Sequence, residues 1–243
     1  MPFAGLRVVV TGAGRDFGRS LAIHFARGGA QVFLSARSLD AARRVADEIA
    51  GLGPGGRVHA FGCDLARPEE VQRFAAGVGD ITGHVDVLVN NAARWLEGED
   101  LTAAADADIV ETIASAATGT ILAVKHFLPL LRASARPDIV TLVSSCGVPG
   151  FSGSPAHDAF YAAKHAQAGF ADILGRRLRA EGIRVISLYP PDFRNPDPLG
   201  PDWDATPRGP GSGLAPQSLI DCIAFAIGQP RDCFIKSFHF EPM

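Results

Sequence analysis

Short apolar runs recur along the chain, separated by longer stretches with a helical period. Leu6–Val10, Gln31–Leu34, Val58–Cys63, Val85–Val89, Ile139–Ser144, Arg184–Leu188 and Phe234–Phe240 read as seven strands. Val85, Val87, Leu88 and Val89, like Ile139, Val140, Leu142 and Val143, are almost continuously apolar, as strands covered on both faces must be. Between the first two runs, Phe17, Leu21 and Phe25 recur every four residues, giving one apolar helical stripe that Gly28-Gly29 closes. This alternation predicts an α/β fold: a doubly wound, seven-stranded, mostly parallel sheet with helices on both faces, joined by right-handed crossovers. A sheet of this kind holds its ligand at the carboxyl ends of the strands, so chemistry is sought just after each run.

With 243 residues and 47% hydrophobic content, the chain can bury a large core as one domain over residues 1–243. Pro190 to Gly213 breaks the rhythm, since it is too rich in proline, glycine and aspartate for regular structure. It reads as a mobile substrate loop at about 190–213. The net charge is −3 and no basic run stands out, so nucleic acid or an anionic membrane has no electrostatic reason to bind. The first strand comes too soon after Met1 for a signal segment, and Lys125, His126 and Pro129 interrupt the apolar stretch Ile121–Leu131. These features predict a cytoplasmic protein. Cys63, Cys146, Cys222 and Cys233 are widely spaced in mostly apolar surroundings, which suits reduced thiols and gives no metal-ligand spacing.

The stretch TGAGRDFG, Thr11 to Gly18, follows the first strand and opens the first helix. Glycine there lets the backbone approach an anion, and a helix N-terminus attracts a pyrophosphate. Gly12, Gly14, Arg15, Phe17 and Gly18 are therefore candidate cofactor residues in a Rossmann-type loop, although Asp16 stands where glycine is common. Main-chain N–H groups meet the phosphates, so the Asp16 carboxylate is compatible with binding if it points to solvent. After the second strand the chain reads Ser35-Ala36-Arg37, with no carboxylate to grip a ribose 2′-hydroxyl. Arg37 and Arg15 are instead suited to clamp a 2′-phosphate, which predicts NADP(H).

Four features together carry a resemblance: the glycine turn, Asn90-Asn91-Ala92-Ala93 after the fourth strand, Ser144-Ser145 after the fifth, and Tyr161-Ala162-Ala163-Lys164. The chain resembles short-chain dehydrogenases/reductases of the compact type, from Leu6 to the final Phe240-Glu241-Pro242. Tyr161 and Lys164, three apart, share one helix face. A free tyrosine titrates near 10, so acid-base work near neutrality needs a drop of roughly 3 pH units, or about 4 kcal/mol. An ammonium at ~4 Å in an effective dielectric of ~20 supplies about that much. The resemblance implies that Tyr161 protonates a carbonyl oxygen as hydride arrives, that Ser145 holds that oxygen, and that Lys164 also grips the nicotinamide ribose. It further implies adenine contacts from Asp64 and Leu65, support from Asn91 and Ala92, and nicotinamide contacts from Pro190 and Asn195. Ala116 departs from the pattern, because it falls where an asparagine completes the tetrad by positioning a water.

Loops after the fourth and fifth strands border the substrate. Trp95, Phe151 and Phe193 are candidates for an apolar wall, and Arg94 or His157 for contact with a carboxylate or hydroxyl. The alternatives are that His157 caps its helix with Asp158 and that Arg94 is solvated. Taken together, the features predict an NADP(H)-dependent carbonyl (ketone) reductase or alcohol dehydrogenase acting on a small organic metabolite, as a homodimer or homotetramer. An epimerase or dehydratase using NADP(H) transiently, and an NADPH-sensing or scaffold protein, are the competing readings.

Overall fold

The computed structural model describes residues 1–53, 57–241 and 243, so Pro242 lies outside the described residues. In chain order the elements are β1 (Arg7–Val10), α1 (Asp16–Arg27), β2 (Gln31–Ala36), α2 (Leu39–Ala50), β3 (Val58–Gly62), α3 (Pro68–Gly79), β4 (Val87–Asn90) and α4 (Asp106–Ile113). A π-helical turn, Ala114–Thr118, joins α4 to α5 (Gly119–Arg132). Then follow β5 (Asp138–Leu142), α6 (Asp158–Leu178), β6 (Arg184–Tyr189), α7 (Pro201–Asp204), α8 (Pro216–Gly228) and β7 (Ser237–His239). The seven strands form one sheet in the order β3-β2-β1-β4-β5-β6-β7. Every neighbouring pair is parallel.

The period of two along each strand sorts its side chains between two helical layers. Val8, Val10, Val87, Val89, Val140, Leu142, Ile186 and Leu188 pack in the cluster that holds Phe17, Leu21 and Phe25 of α1 and the apolar side of α8. Val9, Leu88, Ile139 and Val185 face the opposite cluster with Val71 and Phe74 of α3, Phe127 and Leu131 of α5, and Ala171 and Leu178 of α6. The helix that continues from α4 through α5 is apolar and long enough for a bilayer by composition, but Ala123, Val124, Phe127 and Leu131 bury its stripe in this core.

At the amino ends of the central strands, Asp138 is 1% exposed and bound by Arg184 at 2.7 and 2.8 Å and by Arg231 at 2.8 Å. This charge cluster ties β5, β6 and the approach to β7 together, at the end of the sheet opposite the one that holds the candidate site. The last strand is shorter than the predicted Phe234–Phe240. A turn closes from Cys233 N–H to the Pro230 carbonyl, and Phe234 and Ile235 pack on the core before pairing begins.

The 190–213 segment holds more regular structure than its composition predicts: Pro201 opens the one-turn α7, where its missing N–H costs nothing. Phe193 bridges to Leu214, and Asp197 accepts from Arg19 of α1 at 2.7 Å. Arg19 also binds Glu48 of α2 at 2.7 Å, so one guanidinium links the segment to two helices. The four cysteines are free thiols, and burial pushes Cys63 up to about 12.

Candidate active site

The turn after β1 packs too closely for side chains. Gly12 takes φ +65, and a Cβ there would lie 2.7 Å from the Ala92 Cβ. A Cβ on Gly14 would lie 2.7 Å from that of Ala36, and one on Gly18 would lie 2.3 Å from the Gly12 carbonyl oxygen. Glycine lets α1 start directly against the end of β1, and a helix N-terminus so placed attracts an anion. Asn91 fixes this arrangement from β4, its Nδ2 donating to the carbonyls of Thr11 at 3.1 Å and Gly12 at 3.2 Å. Thr11 returns the bond, accepting at Oγ1 from the N–H of Asn91 and of Ala92.

Asp16 has φ +51, which accounts for the frequency of glycine at its position, and aspartate tolerates this region better than most residues. Its carboxylate is exposed and lies 3.3 Å from the Arg15 guanidinium. The Arg15 charge is thus shared with a neighbour, through an exposed pair of little energetic weight. Phe17 is buried and meets Phe193 edge-on at 5.1 Å. Arg37 is exposed, one residue beyond the carboxyl end of β2. Beyond β3, the Asp64 carboxylate accepts from Ala66 N–H and Leu65 is buried, close to Gly119 of α5. The residues present fit a dinucleotide: a tight glycine cradle, a helix N-terminus and an exposed arginine after the second strand.

Tyr161 and Lys164 project from the first turns of α6, which His157 caps by accepting from Ala159 N–H at Nδ1. That bond makes Nε2 the protonated nitrogen of a neutral ring, and this atom is buried without a partner among the described residues. Of the two readings of His157 the capping one is realised, with a spare donor left over. Capping involves His157 itself and the Ala159 N–H, while Asp158 is exposed.

The Tyr161 hydroxyl donates to the Ser154 carbonyl and accepts from the Ser154 N–H, both at 3.2 Å. Burial raises its pKa above the ordinary phenol value; the Ser154 bond works against this and the Cys146 thiol adds to it. Among the described residues no hydrogen bond joins Tyr161 to Lys164. Lys164, 3% exposed, donates from Nζ to the Leu142 carbonyl and to Gln167 Oε1, both at 2.9 Å, and lies 5.2 Å from the centre of the Phe160 ring. Its burial pulls the ammonium down to about 7. A flexible stem let the cation find two buried acceptors instead of the phenol one turn away.

The two serines after β5 differ in what their hydroxyls do. Ser145 is 6% exposed and donates to the Tyr189 carbonyl at 3.3 Å. Ser144 is half-buried at φ +94, and its oxygen accepts from Cys146 N–H. That leaves the Ser144 proton uncommitted among the described residues. A strained backbone held in place at a strand end is a feature of ligand sites. Cys146 itself packs with Phe151, Phe160 and Tyr161.

The expected apolar wall divides. Trp95 meets Phe160 edge-on at 4.9 Å and Phe151 joins the Cys146 group, whereas Phe193 belongs to the α1 side. Arg94, its side chain 31% exposed, is not free for a carboxylate, because Asp108 and Glu111 of α4 both bind its guanidinium. Pro190 is buried and accepts Ser145 N–H at its carbonyl, and Asn195 is exposed. Ala93 and Tyr161 both pack against the cluster of Cys146, Ala156 and Phe160, and Ala92, the neighbour of Ala93, stands against Gly12, so the segment after β4 runs from the glycine cradle to the cluster that holds Tyr161. A cavity of about 450 Å³ on the outer flank of α6, lined by His165, Asp172, Tyr189, Lys236 and His239, includes neither Tyr161 nor Lys164.

The model of the family described as short chain dehydrogenase matches residues 7–197. The chain is 30% identical over 226 residues to 1-deoxy-11-beta-hydroxypentalenate dehydrogenase of Streptomyces exfoliatus, covering 92% of this chain and 80% of that one. It is also 30% identical over 232 residues to D-beta-hydroxybutyrate dehydrogenase of Rhizobium meliloti, covering 93% and 85%. Among solved structures, a metagenomic short-chain oxidoreductase in complex with NADP superposes with a TM-score of 0.81 at 27% identity, covering 100% of this chain and 99% of that one.

Proposed function

The chain belongs to the short-chain dehydrogenase family of oxidoreductases, and from that premise we propose that it is an NADP(H)-dependent carbonyl reductase, or alcohol dehydrogenase in reverse, acting on a small organic metabolite. The observation that carries this reading is the glycine cradle, closed by Asn91 and Ala92, in one chain with Tyr161 and Lys164 on the first turns of α6. The choice of NADP(H) rests on Arg37, which follows β2 with no carboxylate in Ser35-Ala36 to repel a phosphate, and on Arg15, whose exposed partner Asp16 releases it at little cost. A solved relative that carries NADP supports the same choice.

When bound, the nicotinamide supplies or accepts the hydride. Gly12, Gly14 and Gly18 admit the pyrophosphate, and Arg37 holds the 2′-phosphate. The raised pKa of Tyr161 keeps its proton in place at neutral pH, ready for a substrate oxygen. That oxygen takes over the bond the phenol now makes to Ser154. Ser144 Oγ, its own oxygen already accepting from Cys146 N–H, donates a second hydrogen bond to the same atom.

Exposed Val110, Ile121 and Ile173 on α4, α5 and α6 favour association into a homodimer or homotetramer. The free thiols accord with a cytoplasmic setting. The experiment is consumption of NADPH with a panel of ketones. Oxidation of the cofactor with formation of the alcohol supports the proposal, and product formed without net cofactor change identifies an epimerase or dehydratase instead.

A further inference from the structure

Resting on the reading of Tyr161 and Lys164 above, we infer that Gln167 is a positioning residue for the reacting centre, supplying the amide that Ala116 lacks. Gln167 lies one turn beyond Lys164 on α6 and is 1% exposed. Its Oε1 accepts from Lys164 Nζ at 2.9 Å, and its Nε2 donates to the Ala116 carbonyl at 3.1 Å and to Thr120 Oγ1 at 2.8 Å. The orientation of this amide is fixed by its partners. A flipped group would set two acceptors face to face at Ala116 and two donors face to face at the ammonium.

The π turn Ala114–Thr118 widens the backbone ladder where Ala116 offers its carbonyl, and methyl side chains at 116 and 117 provide no polar group of their own. The α6 side chain fills that gap from across the helix seam. An aliphatic residue would fill the same space without burying an amide, so the group that needs Gln167 is the buried ammonium. Lys164 has three N–H donors, and Gln167 and the Leu142 carbonyl take two. The third remains for a bound cofactor or for the phenol. Around the ammonium, Cys146 after β5 is the titratable group acting on it, Tyr161 lies one turn earlier with its hydroxyl on Ser154, and Thr120 and the Phe160 ring are uncharged.

The sequence holds three lysines, Lys125, Lys164 and Lys236, and the other two are exposed, so carbon-13 labelling of the lysine side chains gives a resolvable Lys164 signal. Its titration is followed in the wild type, Gln167→Leu and Gln167→Glu without cofactor, together with NADPH affinity and the pH profile of kcat. We expect the Lys164 midpoint to fall by about one pH unit in Gln167→Leu and to rise by about one in Gln167→Glu, as loss of an acceptor and gain of a charge require. NADPH should bind several-fold more weakly to Gln167→Leu, and the basic limb of kcat should move with the midpoint. If Gln167→Leu does not fold, Gln167→Met and Gln167→Glu decide. Midpoints unmoved in the folded variants overturn the inference, even in an enzyme that turns over. A wild type inert to every carbonyl overturns the functional proposal while the lysine titration is still read.

Discussion

The hydroxyl of Tyr161 exchanges two hydrogen bonds with the main chain of Ser154, donating to its carbonyl and accepting from its N–H, each at 3.2 Å. The loop between β5 and α6 thus occupies the bonding capacity that a substrate oxygen must take over. Tyr161→Phe removes the proton donor but no contact with the glycine cradle. Turnover should fall at least a hundredfold, with NADPH affinity changed by less than about twofold. Steady-state kinetics beside fluorescence titration of the cofactor checks this, and an active phenylalanine variant contradicts it.

The hydroxyls of Ser144 and Ser145 are separable. Ser144→Ala should lower kcat/KM by roughly a hundredfold or more without changing the melting temperature, since its hydroxyl is the one with a free proton. Ser145→Ala leaves the Tyr189 carbonyl without its side-chain donor and should cost about 1 kcal/mol of stability with much of the activity retained. Parallel kinetics and urea melts distinguish them, and the reverse pattern restores Ser145 as the residue that holds the carbonyl.

Burial lowers the Lys164 ammonium from 10.5 to about 7. Between those values the unfolded chain binds more protons than the folded one, so stability rises with pH across the window and is least below pH 7. From about pH 7 to about pH 8.5, before ordinary thiols ionise, the slope should reach about 1 kcal/mol per pH unit. Urea denaturation of the cofactor-free protein measures it. Lys164→Met should flatten the slope, and a flat wild type would show that the ammonium stays solvated.

Arg37→Asp places a carboxylate after β2. Preference should move toward NADH by at least about tenfold in kcat/KM, through loss of a phosphate partner and gain of a repelling charge. Unchanged selectivity would leave the 2′-phosphate to other residues.

The alternation of apolar runs made the sheet legible because period-two burial places Val8 and Val9 in different layers, and Gly28 marks the end of α1 by chemistry local to the chain. The glycine cradle was legible in part for the same reason: the positive φ of Gly12 and the approach of Gly18 to the Gly12 carbonyl belong to a single strand, turn and helix, while Ala92 and Asn91 crowd them from β4's end. What escaped depends on partners distant in sequence. Arg94 reads as free until Asp108 and Glu111 are seen folded back on it from α4. Lys164 reads as the partner of Tyr161 by helical spacing, yet its acceptors come from β5 and from Gln167, itself anchored on the next helix. Alternation does not separate Ser144 from Ser145, because the positive φ at Ser144 interrupts the pattern by which a strand's side chains are assigned to faces. A glutamine at an otherwise apolar position, three residues after Lys164 of the Tyr-x-x-Lys spacing, was the signal available for Gln167.

The central claim is hydride transfer from a bound nicotinamide to a carbonyl, and the direct measurement is isotopic. NADPH carrying deuterium at its transferring carbon is incubated with the protein and a ketone panel, and the alcohols formed are weighed by mass spectrometry. An alcohol that has gained the deuterium, made by the wild type and not by Tyr161→Phe, is the predicted result; cofactor bound with its label retained against every ketone would contradict the account.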